Sequence, residues 1–99
     1  MAAYIIALVE VTDRERYAEY VKATPGVVSQ FGGRFIARGG RTTTLEGAEE
    51  TRRVVLLEFP SFERAQAFYH SVEYAQAKNL RSEAATATLI LIEGCAPPA

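Results

Sequence analysis

Three stretches of the chain carry apolar side chains on both of their alternating sets, and nothing else in the sequence constrains the fold as much. In Tyr4–Val11 the sets are Tyr4/Ile6/Leu8 and Ile5/Ala7/Val9; in Arg53–Phe59 they are Val54/Leu56 and Val55/Leu57. Ala84–Glu93 is apolar on both sides at its centre. Each run has strand length and the β-branched content of a strand. Successive strand residues point to opposite faces, so strands of this kind are covered on both sides.

The segments between them read as helices and turns. Thr12 followed by Glu15 forms a capping box, with Asp13 favourable in the first turn. Tyr17, Tyr20, Val21, Thr24, Val27, Val28 and Phe31 then recur at helical spacing. Pro25-Gly26 interrupts this stripe, which predicts a helix over about 13–23 and a restart that ends near Phe31 at Gly32-Gly33. Arg34–Arg38 is a second strand, broken at Gly39-Gly40, with Thr42–Leu45 as an extension. Ser61 caps a helix whose stripe is Phe62, Ala65, Phe68 and Tyr69, and Ser71 caps a further helix over about Val72–Arg81. The order is β-α-β-β-α-β. Aligning Thr12 with Ser61 brings Ile5 onto Val54, Ile6 onto Val55, Leu8 onto Leu57 and Tyr20 onto Tyr69. Two such βαβ halves make a ferredoxin-like α+β sheet with both helices on one face. One domain over residues 1–94 and a Pro-rich tail over 95–99 follow.

That arrangement leaves the second sheet face bare and apolar, and soluble monomers rarely expose such a patch. A homodimer packed sheet against sheet is the simplest solution. Net charge is −1 with nine Arg and two Lys, which gives no electrostatic footprint for nucleic acid or an anionic membrane. The central strand VVLLEF also lacks the stacking aromatics of an RNA-binding sheet. Ala2–Val9 lacks the basic flank of a signal peptide and no run spans a membrane, so a cytoplasmic location is expected. One His and one Cys make no metal cluster, and neither a phosphate loop nor a nucleophile–base motif is present. No metal and no cofactor are expected.

Polar groups on apolar elements are the remaining candidates. Glu58 shares a strand face with Val54 and Leu56, which the half-chain alignment groups with Ile5, Ala7 and Val9. A carboxylate there is paired, or shifted in pKa, or sits solvated at the strand end. Arg38, beside two glycines, is suited to clamp a carboxylate ligand or to pair with Glu58 or Glu46. Tyr74 and Arg81 lie two turns apart on one helical face with Ala77 between them. His70 ends the second helix and is the natural general-base candidate, against the plain alternative of a surface histidine. Tyr17 and Tyr20 are core positions whose hydroxyls need partners if buried.

Taken with Asp13, Gly32-Gly33, Arg38-Gly39-Gly40, Glu46-Gly47, Arg53, Glu58-Phe59-Pro60-Ser61, Glu73-Tyr74, Arg81 and Glu93-Gly94, the chain resembles the domain-of-unknown-function family numbered 1330. That family lies within the dimeric α/β-barrel superfamily. Val72 departs from the proline expected before Glu73-Tyr74. The resemblance implies a ferredoxin-like protomer in a homodimer and no particular reaction. Relatives in that superfamily include cofactor-independent monooxygenases, isomerases and haem-handling enzymes.

Two functions are therefore expected to compete. One is binding, with or without catalysis, of a small anionic or carbonyl-bearing molecule between helices and sheet. Its substrate-binding residues are Tyr20, Arg38, Tyr74 and Arg81, and its catalytic residues Glu58 and His70. The other is a non-catalytic dimeric interaction module whose polar arm, about residues 40–52, reaches the partner chain. Glu46 and Arg53 are read as structural in both.

Overall fold

The structure, a computed structural model, describes residues 1–96; the rest of the tail, residues 97–99, lies outside the described residues. Seven elements follow in order: β1 (Ala3–Val11), α1 (Arg14–Gln30), β2 (Arg34–Arg38), β3 (Arg53–Phe59), α2 (Phe62–Tyr69), α3 (Val72–Arg81) and β4 (Ala85–Glu93). The sheet order is β2-β3-β1-β4, and every neighbouring pair is antiparallel. All helices lie on one face, which is the ferredoxin-like α+β arrangement. No helix among the described residues is long and apolar enough to cross a membrane.

The helix-covered face holds the core. Ile5, Ala7 and Val9 of β1 lie opposite Leu57, Val55 and Arg53 of β3. Against this row pack Val28 of α1, Ala65 and Phe68 of α2, and Tyr74 and Ala77 of α3, all buried. The helix starts are set by side chains: Ser61 Oγ accepts from the Arg64 amide at 3.1 Å and Ser71 Oγ from the Tyr74 amide at 3.0 Å. Helix α1 is capped by Asp13, whose Oδ1 accepts from the Arg16 amide at 3.1 Å. The cap thus sits one residue later than Thr12, whose own amide is tied to the Ala84 carbonyl at 2.8 Å.

Helix α1 also runs without a break through Pro25. A proline has no amide hydrogen, so the carbonyl four residues earlier, that of Val21, loses its helical donor. Arg38 Nη2 supplies one from outside the helix, at 2.7 Å to Val21 O, and also donates to Thr24 Oγ1 at 3.2 Å. The expected restart is not needed because the orphaned acceptor is satisfied by another strand. The helix then closes on Gly32, at φ 78°, with the Gly32 and Gly33 amides donating to Ser29 and Val28 carbonyls at 2.9 Å each.

Thr42–Leu45 does not extend β2. Residues 39–52 form an exposed irregular arm, in which the Thr44 hydroxyl accepts from the Glu50 amide at 2.9 Å. Leu45 is 93% exposed.

The opposite face carries Tyr4, Ile6, Leu8, Val54, Leu56, Ile90 and Ile92 in cross-strand register with no helix above them. Ile90 and Ile92 are 51% and 53% exposed. Glu58 lies here, opposite Tyr4 and Arg34, and not on the face of Ile5, Ala7 and Val9. The half-chain alignment was out by one residue in β3, and a one-residue offset turns every side chain of a strand to the other face.

Candidate functional site

The polar side chains that converge between α1, α3 and the sheet include Tyr20, Arg38, Arg53, Tyr74 and Arg81, with Tyr17 and Thr24 beside them. Tyr20 comes from the buried stripe of α1. Tyr74 and Arg81 come from the buried face of α3, with Ala77 between them. Arg38 arrives by a different device. Phe35 pairs with Leu57 on the helix side, and Ala37 pairs with Leu56 on the bare side, so β2 has one extra residue, Ile36. This bulge returns Arg38 to the helix side, opposite Val55. Without it Arg38 would share the face of Arg34. Its guanidinium is then stacked on the Phe35 ring at 4.0 Å.

Arg53 is the neighbouring strand residue on that side. Its guanidinium lies against Gly39, which has φ 70°; a side chain there would collide with it. The glycine after Arg38 is favoured by its left-handed backbone conformation, and its missing side chain leaves room for the Arg53 guanidinium. The Arg53 Nε is buried and has no hydrogen-bond partner.

The electrostatics of this cluster are one-sided. Arg81 is only 7% exposed, with its guanidinium 5.4 Å from the Tyr20 ring centroid. The ion pairs among the described residues are Arg16–Glu83, Arg34–Glu58 and Arg52–Glu50. None of them includes Arg38, Arg53 or Arg81. Burial and the nearby Arg53 charge pull the Arg38 guanidinium down in pKa. Burial acts in the same direction on Arg81, but the Tyr74 and Tyr20 hydroxyls outweigh it and its pKa is raised. The Tyr20 and Tyr74 hydroxyls are hydrogen-bonded at 2.8 Å. Burial, reinforced by Tyr74, drives the Tyr20 hydroxyl far up, so it remains a neutral phenol. It can orient or donate to a ligand; it is not a base.

A cavity of about 30 Å³ lies inside this cluster. Arg81, Ala87 and Leu89 separate it from a wider groove of about 430 Å³ between α2, α3 and β4. His70 lies on the rim of that groove as the C-cap of α2, exposed and edge-on to Tyr69 with ring centres 5.3 Å apart. Lys78 Nζ, on the same rim, donates to the Tyr69 hydroxyl at 2.8 Å. Among the described residues no group of His, Cys, Asp and Glu could hold a metal ion.

Of the residues singled out from the sequence, the structure therefore brings together Tyr20, Arg38, Tyr74 and Arg81, and leaves His70 at the outer groove. Glu58 is separated from them by the sheet. It accepts from Arg34 Nε at 2.7 Å, and that bond, helped by the Tyr4 hydroxyl, holds its carboxyl below the usual range. Arg38 pairs with neither Glu58 nor Glu46. Arg53 and Lys78 are additions. Arg53 was detectable in principle, since it keeps step with Val55, Leu57 and Phe59 along β3.

No functionally curated protein sequence matches the chain. Among solved structures, a protein of unknown function from Rhodopseudomonas palustris is 23% identical, with a TM-score of 0.76 over 97% of this chain and 84% of that one. SnoaB, a cofactor-independent oxygenase from Streptomyces nogalater, is 11% identical, with a TM-score of 0.61 over 97% and 95%. A dimeric protein of unknown function and ferredoxin-like fold from Bacteroides fragilis is 13% identical, with a TM-score of 0.55 over 94% and 96%. At these identities the likeness is one of fold. Family membership rests on the sequence profile, which matches residues 2–95: the chain belongs to the family described as Domain of unknown function (DUF1330).

Proposed function

We propose that this is a homodimeric small-molecule-binding protein that takes an anionic group between its helices and its sheet. The observation that carries the reading is the set of three arginines, Arg38, Arg53 and Arg81, drawn into that compartment with no carboxylate partner among the described residues. Arg81 is buried and Arg38 and Arg53 are half-buried, and cationic charge drawn out of water favours a partner of opposite sign, which an anion supplies. Tyr20 and Tyr74 serve as neutral hydrogen-bonding groups beside it. His70, at the groove rim, is the group placed to exchange a proton with a bound molecule, which would make the protein a cofactor-independent enzyme. The fold likeness to a cofactor-independent oxygenase agrees with that and assigns no reaction. The bare face of Ile6, Leu8, Leu56, Ile90 and Ile92 supports sheet-to-sheet pairing of two copies, as does the dimeric state of a fold relative.

Calorimetric titration with succinate, benzoate and inorganic phosphate tests the site. Binding to the wild type that disappears in a folded Arg81→Met variant supports it. Equal binding by the variant, or no binding of any of the three, rejects it. The competing reading, a non-catalytic interaction module, draws on the exposed Leu45 of the arm. It gains if Leu45→Ser loosens the dimer while no anion binds.

A further inference from the structure

The inner compartment is too small to hold a whole ligand. Its volume of about 30 Å³ is that of one or two water positions. The groove outside Arg81, at about 430 Å³, falls in the range of small-molecule sites. Resting on the anion-binding reading, the geometry points to an amphipathic anion as the occupant. Its acidic head would lie at Arg81, and its apolar body along β4 in the groove.

Three observations carry this. The floor of the groove is a half-open apolar row. Ala87, Leu89 and Leu91 lie on the helix side, each opposite a buried residue of β1: Val9 at 4%, Ala7 at 7% and Ile5 at 2% exposure. The same row is therefore sealed on β1 and left half-buried on β4, although β4 is just as apolar there. The rim is polar and of one sign. Gln66, Tyr69, His70, Lys78 and Arg81 line it, and no carboxylate does. Lys78, finally, is bonded to a neutral hydroxyl rather than to an acid, so its charge too lacks a counter-ion there. An inorganic anion would satisfy the arginine and leave the row uncovered. A neutral apolar molecule would do the reverse.

Isothermal titration with acetate, hexanoate, octanoate and 1-octanol separates the parts. Affinity should rise about fourfold for each methylene that enters the groove. Octanol should bind at least tenfold more weakly than octanoate. Leu91→Asn, in the groove floor but outside the inner compartment, should flatten the chain-length series and weaken octanoate far more than acetate. Because Leu91 also touches the core, the exposed Lys78→Glu provides a second variant, expected to weaken octanoate more than octanol. Acetate and octanoate binding equally well would overturn this inference while leaving the anion site intact. Octanol matching octanoate would remove the role of the head group. Absence of binding by every carboxylate would overturn both this and the reading it rests on.

Discussion

The two faces of the sheet treat charge in opposite ways. On the bare side Arg34 is salt-bridged to Glu58 at 2.7 Å, although Arg34 is largely exposed. Arg16 and Arg52, on the surface and on the arm, are paired as well. On the covered side Arg38, Arg53 and Arg81 meet a carbonyl, a hydroxyl and aromatic rings, and Arg38 feels the charge of Arg53. Exposed ion pairs contribute little to stability, whereas buried charges without a partner oppose it. On the function proposed above, the covered side is arranged for a ligand and the bare side for a neighbour.

The contrast can be broken most forcefully from the bare side. Leu56→Asp should raise the dimer dissociation constant at least a hundredfold, about 3 kcal/mol, by light scattering. A wild type that is already monomeric at micromolar concentration would remove the neighbour. On the covered side, Arg38→Met should lower the unfolding free energy by about 1–3 kcal/mol, because the Val21 carbonyl is left without a donor. In a Pro25→Ala background the helix recovers its own amide donor, so the same substitution should cost about 1 kcal/mol less. Equal costs in the two backgrounds, measured by urea unfolding, would refute that role.

Arg81→Met should remove anion binding while changing the stability of the unliganded protein by less than about 1 kcal/mol, because the Tyr74 and Tyr20 hydroxyls already offset the burial of its charge. A clear loss in melting temperature would instead make the cluster a structural one. The smallest effect concerns Glu58. Its folded pKa lies below the ordinary value of 4.5 because of Arg34. Its contribution is therefore complete above that value and fades as pH falls through the lower folded pKa. Arg34→Met should move the midpoint of the Glu58 carboxyl titration, followed by NMR, upward toward the ordinary value.

Much of this could be read from the sequence, and the misreadings have physical causes. Element order, β2, β3 and both serine caps were legible because strand content and capping residues are local signals. The facing of Glu58 was not. With Val54/Leu56 and Val55/Leu57 equally apolar, alternation does not say which set meets the helices. The bulge at Ile36 leaves no glycine to mark it, and it alone decides which side Arg38 joins. Tyr74, Ala77 and Arg81 were placed correctly because helical spacing is unambiguous over two turns. Pro25 is read as a break by local rules alone, yet a proline inside a continuous helix leaves a carbonyl open to a donor from elsewhere, and Arg38 is that donor.

That last contact also bears on folding order. The donor for Val21 lies 17 residues further along the chain, on a strand at the sheet edge. The Val21 carbonyl therefore has no donor within an isolated α1 and gains its protein donor only once β2 has docked through its bulge. In refolding kinetics, substitutions near Thr24 and at Arg38 should give matching φ-values, both lower than those in the first turns of α1.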